Sequence, residues 1–216
     1  VLRQIMLQPV VLASIVALAA TPALSQTPER VRIGAAFAID RTEVTVGQFR
    51  AFARAAGLVT AAEREGGGFE FAGGCTRRSG WTYERPQGQP AAANEPAVHV
   101  SWHEASRYCA HVGGRLPTMA EWRAAAYTES RDQPTDGFVK GRTYVYPVGD
   151  QPDGMNNNRR AHAAAGTTKP GVNGLYEMGA NVWEWIADRR GGEALTAGGS
   201  WWYGPEQSRA ESAQWK

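Results

Sequence analysis

Cysteine is scarce in this chain: its 216 residues hold two, Cys75 and Cys109, so at most one internal disulfide can form. An excess of one charge is missing too. The formal net charge is +2, and the basic pairs Arg77-Arg78, Arg159-Arg160 and Arg189-Arg190 are scattered, which excludes a nucleic-acid footprint and predicts solvated loop charges. Standard catalytic signatures are absent: no P-loop, no dinucleotide glycine motif, and a Gly199-Ser200-Trp201 that is not the Gly-x-Ser-x-Gly elbow. No internal repeat is visible, and no second long apolar run follows the one near the start. What is present is a chain rich in glycine (25) and tryptophan (8), of a length that suits one domain with a sizeable core.

The beginning reads as a targeting segment. Arg3 supplies a positive region, Val10 to Ala20 is almost wholly apolar, and Ala23-Leu24-Ser25 is a small-x-small cleavage site before Gln26. Residues 1–25 are expected to be a signal peptide, 26–32 a linker and 33–216 the domain. The apolar run is short for a membrane span and no lipobox cysteine follows it, so the processed chain is expected off the membrane, periplasmic or secreted. Val1 in place of Met suggests an alternative start codon or a trimmed start. Export would let a disulfide persist, and a Cys75–Cys109 bridge would fasten a glycine-rich loop to a helix.

Three helix starts share one signature, a hydroxyl at the N-cap and Glu or Gln three residues on: Thr45 with Gln48, Ser101 with Glu104, and Thr118 with Glu121. In the first helix Val44 and Phe49 form a staple, Phe49, Phe52 and Ala53 share a face, and Gly57 is the stop. The second turns Ala105, Tyr108, Cys109 and Val112 inward before Gly113-Gly114, and the third turns Trp122, Ala125 and Ala126 inward. Short strands are expected at Ala35–Asp40, Ala97–Val100, Thr143–Val148 and Thr196–Tyr203. Gly66-Gly67-Gly68 and Gln87–Asn94 look like flexible surface excursions, and the rest is irregular loop.

The most informative stretch runs from Gly174 to Trp185, Gly-Leu-Tyr-Glu-Met-Gly-Ala-Asn-Val-Trp-Glu-Trp. Glu177, Glu184 and the carbonyls between them are hard oxygen donors of the kind Ca2+ takes at roughly 2.3–2.6 Å. The plainer reading is a tight turn into a tryptophan-rich strand, with a Glu capping a backbone amide. His99 and His103 with Glu104 imitate a zinc pattern, but Ser101 starts the helix between the two imidazoles and points them apart. His111 and His162 lack nearby ligand-type partners.

Four more blocks keep that stretch company: Phe37–Phe49 (FAIDRTEVTVGQF), Pro96–Ala105 (PAVHVSWHEA), Arg115–Trp122 (RLPTMAEW) and Gly198-Gly199-Ser200-Trp201. In this order they resemble the formylglycine-generating enzyme, or sulfatase-modifying factor, family from about residue 33 onward. The resemblance implies an α+β fold of the C-type-lectin-like kind, with little regular secondary structure and braced by calcium. Carried onto this sequence, one calcium site comprises the side chains of Glu177 and Glu184 and the carbonyls of Ala180 and Val182. A second would use Asn156 and the Asn157 carbonyl, though its later acidic ligand has no counterpart in 161–168. The family continues with a final strand ending Gly-Phe-Arg, whereas this sequence stops at Trp215-Lys216, which implies C-terminal truncation or loss of that strand. The family also often pairs the cysteine matching Cys109 with one near the C-terminus, and none stands there.

In the family, a sulfatase cysteine is oxidised to an aldehyde by copper held on two cysteines just after the Gly-Gly-Ser-Trp block. The matching positions here are Tyr203 and Ser208, neither of which replaces a copper thiolate, so copper is not expected. Three functions follow. The first is an exported domain that binds a peptide, protein or small molecule. The second is an oxidoreductase without copper thiolates, similar to periplasmic family members that mature siderophores, with Trp201, Trp202, Tyr203, Glu206 and Arg209 lining its pocket and Glu206 as candidate base. The third is a formylglycine generator using Cys75 or Cys109 near Ser208.

Overall fold

The computed structural model describes residues 28–71 and 74–216, so the leader read from residues 1–25 lies outside them. Strand β1 (Arg30–Ile33) pairs antiparallel with β2 (Phe37–Asp40). The segment read as a linker is therefore a strand from Arg30 onward. Helix α1 (Val46–Ala55) follows, then a single turn α2 (Ala61–Arg64), the hairpin β3 (Gly67–Phe71) and β4 (Cys75–Ser79), and the helices α3 (Trp102–His111) and α4 (Met119–Tyr127). A three-stranded antiparallel sheet of β5 (Glu184–Arg190), β6 (Glu193–Ala197) and β7 (Gln214–Trp215) closes the described chain. None of the described helices is long and apolar enough to cross a membrane.

All three predicted caps form complete boxes, the hydroxyl accepting the N3 amide and the N3 side chain accepting the N-cap amide. A fourth, Thr60 with Glu63, starts α2. Glu104 does more than cap its own helix: its second oxygen accepts the Ala61 amide at 2.6 Å and ties α3 to α2. The caps are local chemistry, and so the sequence displays them.

The strands fared less well because their partners are distant. Ala97–Val100 is not a strand: Ala97 donates once to Val44 O, and His99 takes φ +56°. Thr143–Val148 makes only isolated bridges, Thr128 with Thr143 and Tyr146 with Gly149. The last predicted strand stops at Ala197, where Gly198 and Gly199 turn left-handed at φ +91° and +87°. Gly67 and Gly68, read as a surface excursion, belong to β3, and a Cβ on Gly68 would fall 2.3 Å from His99 Nδ1. Glycine at 68 is what lets the imidazole lie on the strand.

Two of the four apolar clusters among the described residues are the largest. The larger joins α4 to β5 and β6 through Trp122, Ala125, Tyr127, Leu175, Met178, Ile186 and Ala197, with Phe37 and Ile39 of β2 against it. The smaller joins α1 to α3 through Val46, Phe49, Phe52, Tyr83 and Tyr108. A cleft of about 1380 Å³ lies along both of them.

Candidate functional site

The stretch from Glu177 to Glu184 is a knot of left-handed backbone: Glu177, Ala180 and Asn181 have φ of +53°, +64° and +53°. Non-glycine residues adopt this conformation at a cost of roughly 1–3 kcal/mol each, so the surroundings must impose it. Asn181, fully buried, is the centre of the restraint. Its amide nitrogen donates to Glu43 Oε2 at 2.6 Å and to Ala163 O at 3.2 Å, while its oxygen accepts from Asn156 Nδ2 at 2.8 Å and the Ala163 amide at 2.7 Å. The Val182 amide adds a bond to Glu43 Oε1 at 3.3 Å. One side chain thus ties the 181 turn to Glu43, far away in sequence, and to the 156–163 loop.

Glu177 and Glu184, expected to share an ion, have separate partners. Glu177 accepts the amides of Gly166, Thr167 and Thr168 and the Thr168 hydroxyl, and so holds the 166–168 loop. Glu184 accepts the Trp122 indole N–H at 2.5 Å from α4. Burial, with the Glu177 charge added, pushes the Glu184 carboxyl up to about 7 against the Trp122 bond. Glu43 is raised well above the usual carboxylate range, first by burial and then by the charges of Glu184 and Glu177. Glu43 escaped the sequence reading; its one signal was an acidic residue just ahead of the Thr45 cap.

Among the described residues no three His, Cys, Asp or Glu side chains gather as a metal cluster. The fit to calcium is partial. Glu184 and the carbonyls of Ala180 and Val182, on which no recorded hydrogen bond ends among the described residues, suit a hard cation, whereas both Glu177 oxygens are engaged. Asn156 uses its Nδ2 on Ala161 O and Asn181, the Asn157 amide turns back to Met155 O, and no carboxylate bonds to either residue.

The Gly198–Trp201 turn delivers the aromatic wall of the cleft. Trp201 N donates to Asn181 O, so the wall is anchored on the same hub. Tyr203 meets Trp183 edge-on at 5.7 Å, Trp201 meets Trp202 at 5.6 Å, and Trp81, His99 and Cys75 line the same cleft. His99 Nε2 lies 2.8 Å from Pro86 O; since a carbonyl only accepts, the ring proton sits on Nε2, and burial holds the imidazole below its usual value. His103 lies on α3 against Trp102, away from His99. His162, expected to stand alone, pairs with Glu95 at 2.8 Å.

Of the four candidate catalytic residues, Tyr203 alone lines the cleft. Ser208 is buried, donating to Gly198 O at 2.8 Å and accepting the Tyr127 hydroxyl on its carbonyl at 2.9 Å. Glu206 and Arg209 pair with each other at 3.0 Å outside the cleft, and Arg209 lies over the Tyr146 ring. The reason is the 3-10 turn Pro205–Ser208, which rotates these side chains off the Trp201–Tyr203 face. The two cysteines are free, contrary to the expected bridge. Cys109 lies beside Asp40, its thiol pushed up to about 11 by burial and then by that carboxylate. Burial raises the Tyr203 phenol above its usual value, and Cys75 lines the same cleft.

The family model of the sulfatase-modifying factor enzyme 1-like domain matches residues 13–216. The chain belongs to this family. Formylglycine-generating enzymes of Streptomyces coelicolor and Thermomonospora curvata are 32% and 34% identical over 204 and 184 residues, covering 77% and 70% of this chain. An inactive C-alpha-formylglycine-generating enzyme 2 of Bos taurus is 31% identical over 189 residues and 71% of the chain. The chain spans about three-fifths of the length of these relatives, 62%, 59% and 60%. Relatives named as the enzyme and as its inactive counterpart stand at similar identity, 32%, 34% and 31%, so identity does not decide activity. Among solved structures, PvdO from Pseudomonas aeruginosa superposes with a TM-score of 0.58 at 20% identity, covering 83% of this chain and 74% of its own. CarF gives 0.51 at 24%, covering 83% and 79%. The mixed α/β architecture of small sheets and few helices is the fold of these proteins.

Proposed function

We propose that this family member is an exported binding domain whose aromatic cleft receives a peptide, protein or small-molecule ligand, and that it does not carry out copper-dependent oxidation. One observation carries the reading: of the two positions where the family's copper thiolates are expected, Tyr203 presents a phenol to the cleft and Ser208 turns into the core. Faces of Trp183, Trp201 and Trp202 offer stacking and cation–π attraction, and Ser200 beside them offers a hydrogen bond. The apolar leader supports a periplasmic or secreted location.

Calcium would be structural. Glu184 and the carbonyls of Ala180 and Val182 would hold it, supplying ion coordination to a loop whose backbone is left-handed; Asn156 and Asn157 would be a weaker second site. The deciding experiment is aerobic incubation with a cysteine-containing peptide and copper, read by mass spectrometry and tryptophan quenching. Quenching without loss of the thiol supports the binding reading, and aldehyde formation overturns it.

A second reading, an oxidoreductase without copper thiolates, draws on the Cys75 thiol that lines the same cleft as Tyr203. It requires turnover of cysteine peptides or siderophore precursors under oxygen that Cys75→Ser and Tyr203→Phe both abolish.

A further inference from the structure

Glu95 and His162 belong neither to the Glu177–Glu184 knot nor to the tryptophan wall, yet they pair across 67 positions of sequence. His162 Nε2 lies 2.8 Å from Glu95 Oε2, and the imidazole and carboxylate side chains are 8% and 27% exposed. Burial alone would raise the Glu95 carboxyl, but the Ala92 amide and the imidazole hold it below its usual value, so it stands as a carboxylate and only accepts. The proton of the shared bond therefore belongs to Nε2, and in the neutral ring Nδ1 carries the lone pair. Nδ1 has no hydrogen-bond partner among the described residues, and it is not one of their sealed, unpaired atoms, which are Arg41 Nε and the Tyr108 hydroxyl. Since His162 lines the cleft, this nitrogen opens there.

Both partners are held from several sides. Glu95 Oε1 accepts the Ala92 amide at 2.7 Å, and the Glu95 carbonyl accepts the Val46 amide at the start of α1. The Ala165 amide donates to Asn94 O, so the two segments meet a second time beside the dyad. Ala163, next to His162, exchanges both of its backbone bonds with the Asn181 side chain. Arg159 N donates to Trp201 O at 2.9 Å, which fastens the segment carrying the imidazole to the residue that opens the aromatic wall. A basic nitrogen thus stands beside stacking surfaces, with its tautomer and direction set before any ligand arrives.

We propose that His162 is the polar anchor of this cleft, its Nδ1 accepting a hydrogen bond from a hydroxyl on a ligand whose flat apolar body lies on the tryptophans, and that Glu95 positions the ring for it. The inference rests on the reading of the cleft as a ligand site and names the kind of ligand. An anionic group would meet a lone pair with the Glu95 charge behind it, and a purely apolar one would bury Nδ1 unpaired. An ammonium brings three donors of which Nδ1 satisfies one, whereas the single donor of a hydroxyl is matched.

The test uses the full chain with benzyl alcohol and benzyl methyl ether, which share a ring and differ in the donor, at about pH 8, above the usual imidazole range. By tryptophan quenching the alcohol binds at least about fivefold more tightly than the ether, the worth of one net hydrogen bond. The imidazole 15N spectrum shows the ring protonated on Nε2, and the alcohol, but not the ether, moves the Nδ1 resonance. Glu95→Gln keeps its amide oxygen on the Ala92 amide and turns its amide nitrogen to the ring, so the ring proton moves to Nδ1. The spectrum then reports the other tautomer, and the preference for the alcohol falls to about onefold, as it also does in His162→Phe. Three results overturn the proposal: equal affinity for alcohol and ether in the unaltered chain, a ring protonated on Nδ1 there, or a preference that survives both substitutions. In each of these the quenching itself persists, so the cleft still binds and the anchor alone fails. No quenching by either compound overturns the cleft reading and the anchor together.

Discussion

Asn181 and Tyr108 are buried alike, at 0% and 2% exposure, and are oppositely supplied. Every polar atom of the Asn181 side chain is bonded, to partners from residues 43, 156 and 163, whereas the Tyr108 hydroxyl has none among the described residues. Both are buried in the same domain, so burial alone does not explain the difference. A saturated hub fixes a backbone that would otherwise relax, and an unpaired buried hydroxyl is a cost the interior carries.

The largest test of this contrast is Asn181→Ala. It strands the Glu43 carboxylate and the Asn156 amide in the interior and removes the restraint on a left-handed segment, and we expect a loss of about 3–5 kcal/mol in denaturant unfolding. A loss below about 1 kcal/mol would break the idea of a hub.

The second test is pH. Glu184 titrates near 7 in the folded chain against 4.5 as a free side chain, and Glu43 is raised in the same direction. At these two sites the folded state therefore holds more protons than the unfolded one, so their contribution to stability is complete below about 4.5 and is lost as pH rises to about 7, by a few kcal/mol. Urea midpoints across that range check the slope. Excess calcium should flatten it if Glu184 ligates the ion, and Glu184→Gln should flatten it without calcium.

Third, Glu177→Gln leaves a neutral amide opposite three backbone N–H donors and should cost about 1–3 kcal/mol, with faster exchange at the Gly166, Thr167 and Thr168 amides. The smallest effect is on the other side of the comparison. Tyr108→Phe discards a hydroxyl that bonds to nothing, so the free chain should be unchanged or more stable by up to about 1 kcal/mol, measured by the same unfolding curve. A marked loss would mean that the hydroxyl has a partner after all.

Much of this was legible in the sequence, and unevenly. The capping boxes at Thr45, Ser101 and Thr118 were readable because donor and acceptor lie three residues apart. Tyr203 and Ser208 were set against the family's copper thiolates from residue identity alone. The direction of their side chains was not readable: a short 3-10 turn separates Tyr203 from Ser208, Glu206 and Arg209 and sends the last three away from the cleft. The Cys75–Cys109 bridge failed for a similar reason, because two cysteines in a chain say nothing of the distance between a hairpin and a helix.

Sequence by itself determined the helix starts, the family and the absence of a thiolate pair after the Gly-Gly-Ser-Trp block, all of which depend on neighbours along the chain or on side-chain chemistry. Tertiary structure alone decided that Glu43 joins Asn181 across 138 positions, that Glu177 serves a loop, and that the buried Tyr108 hydroxyl has no partner among the described residues. Hydrogen-bond satisfaction in a buried interior is a property of the whole packed chain, and no local window of residues contains it.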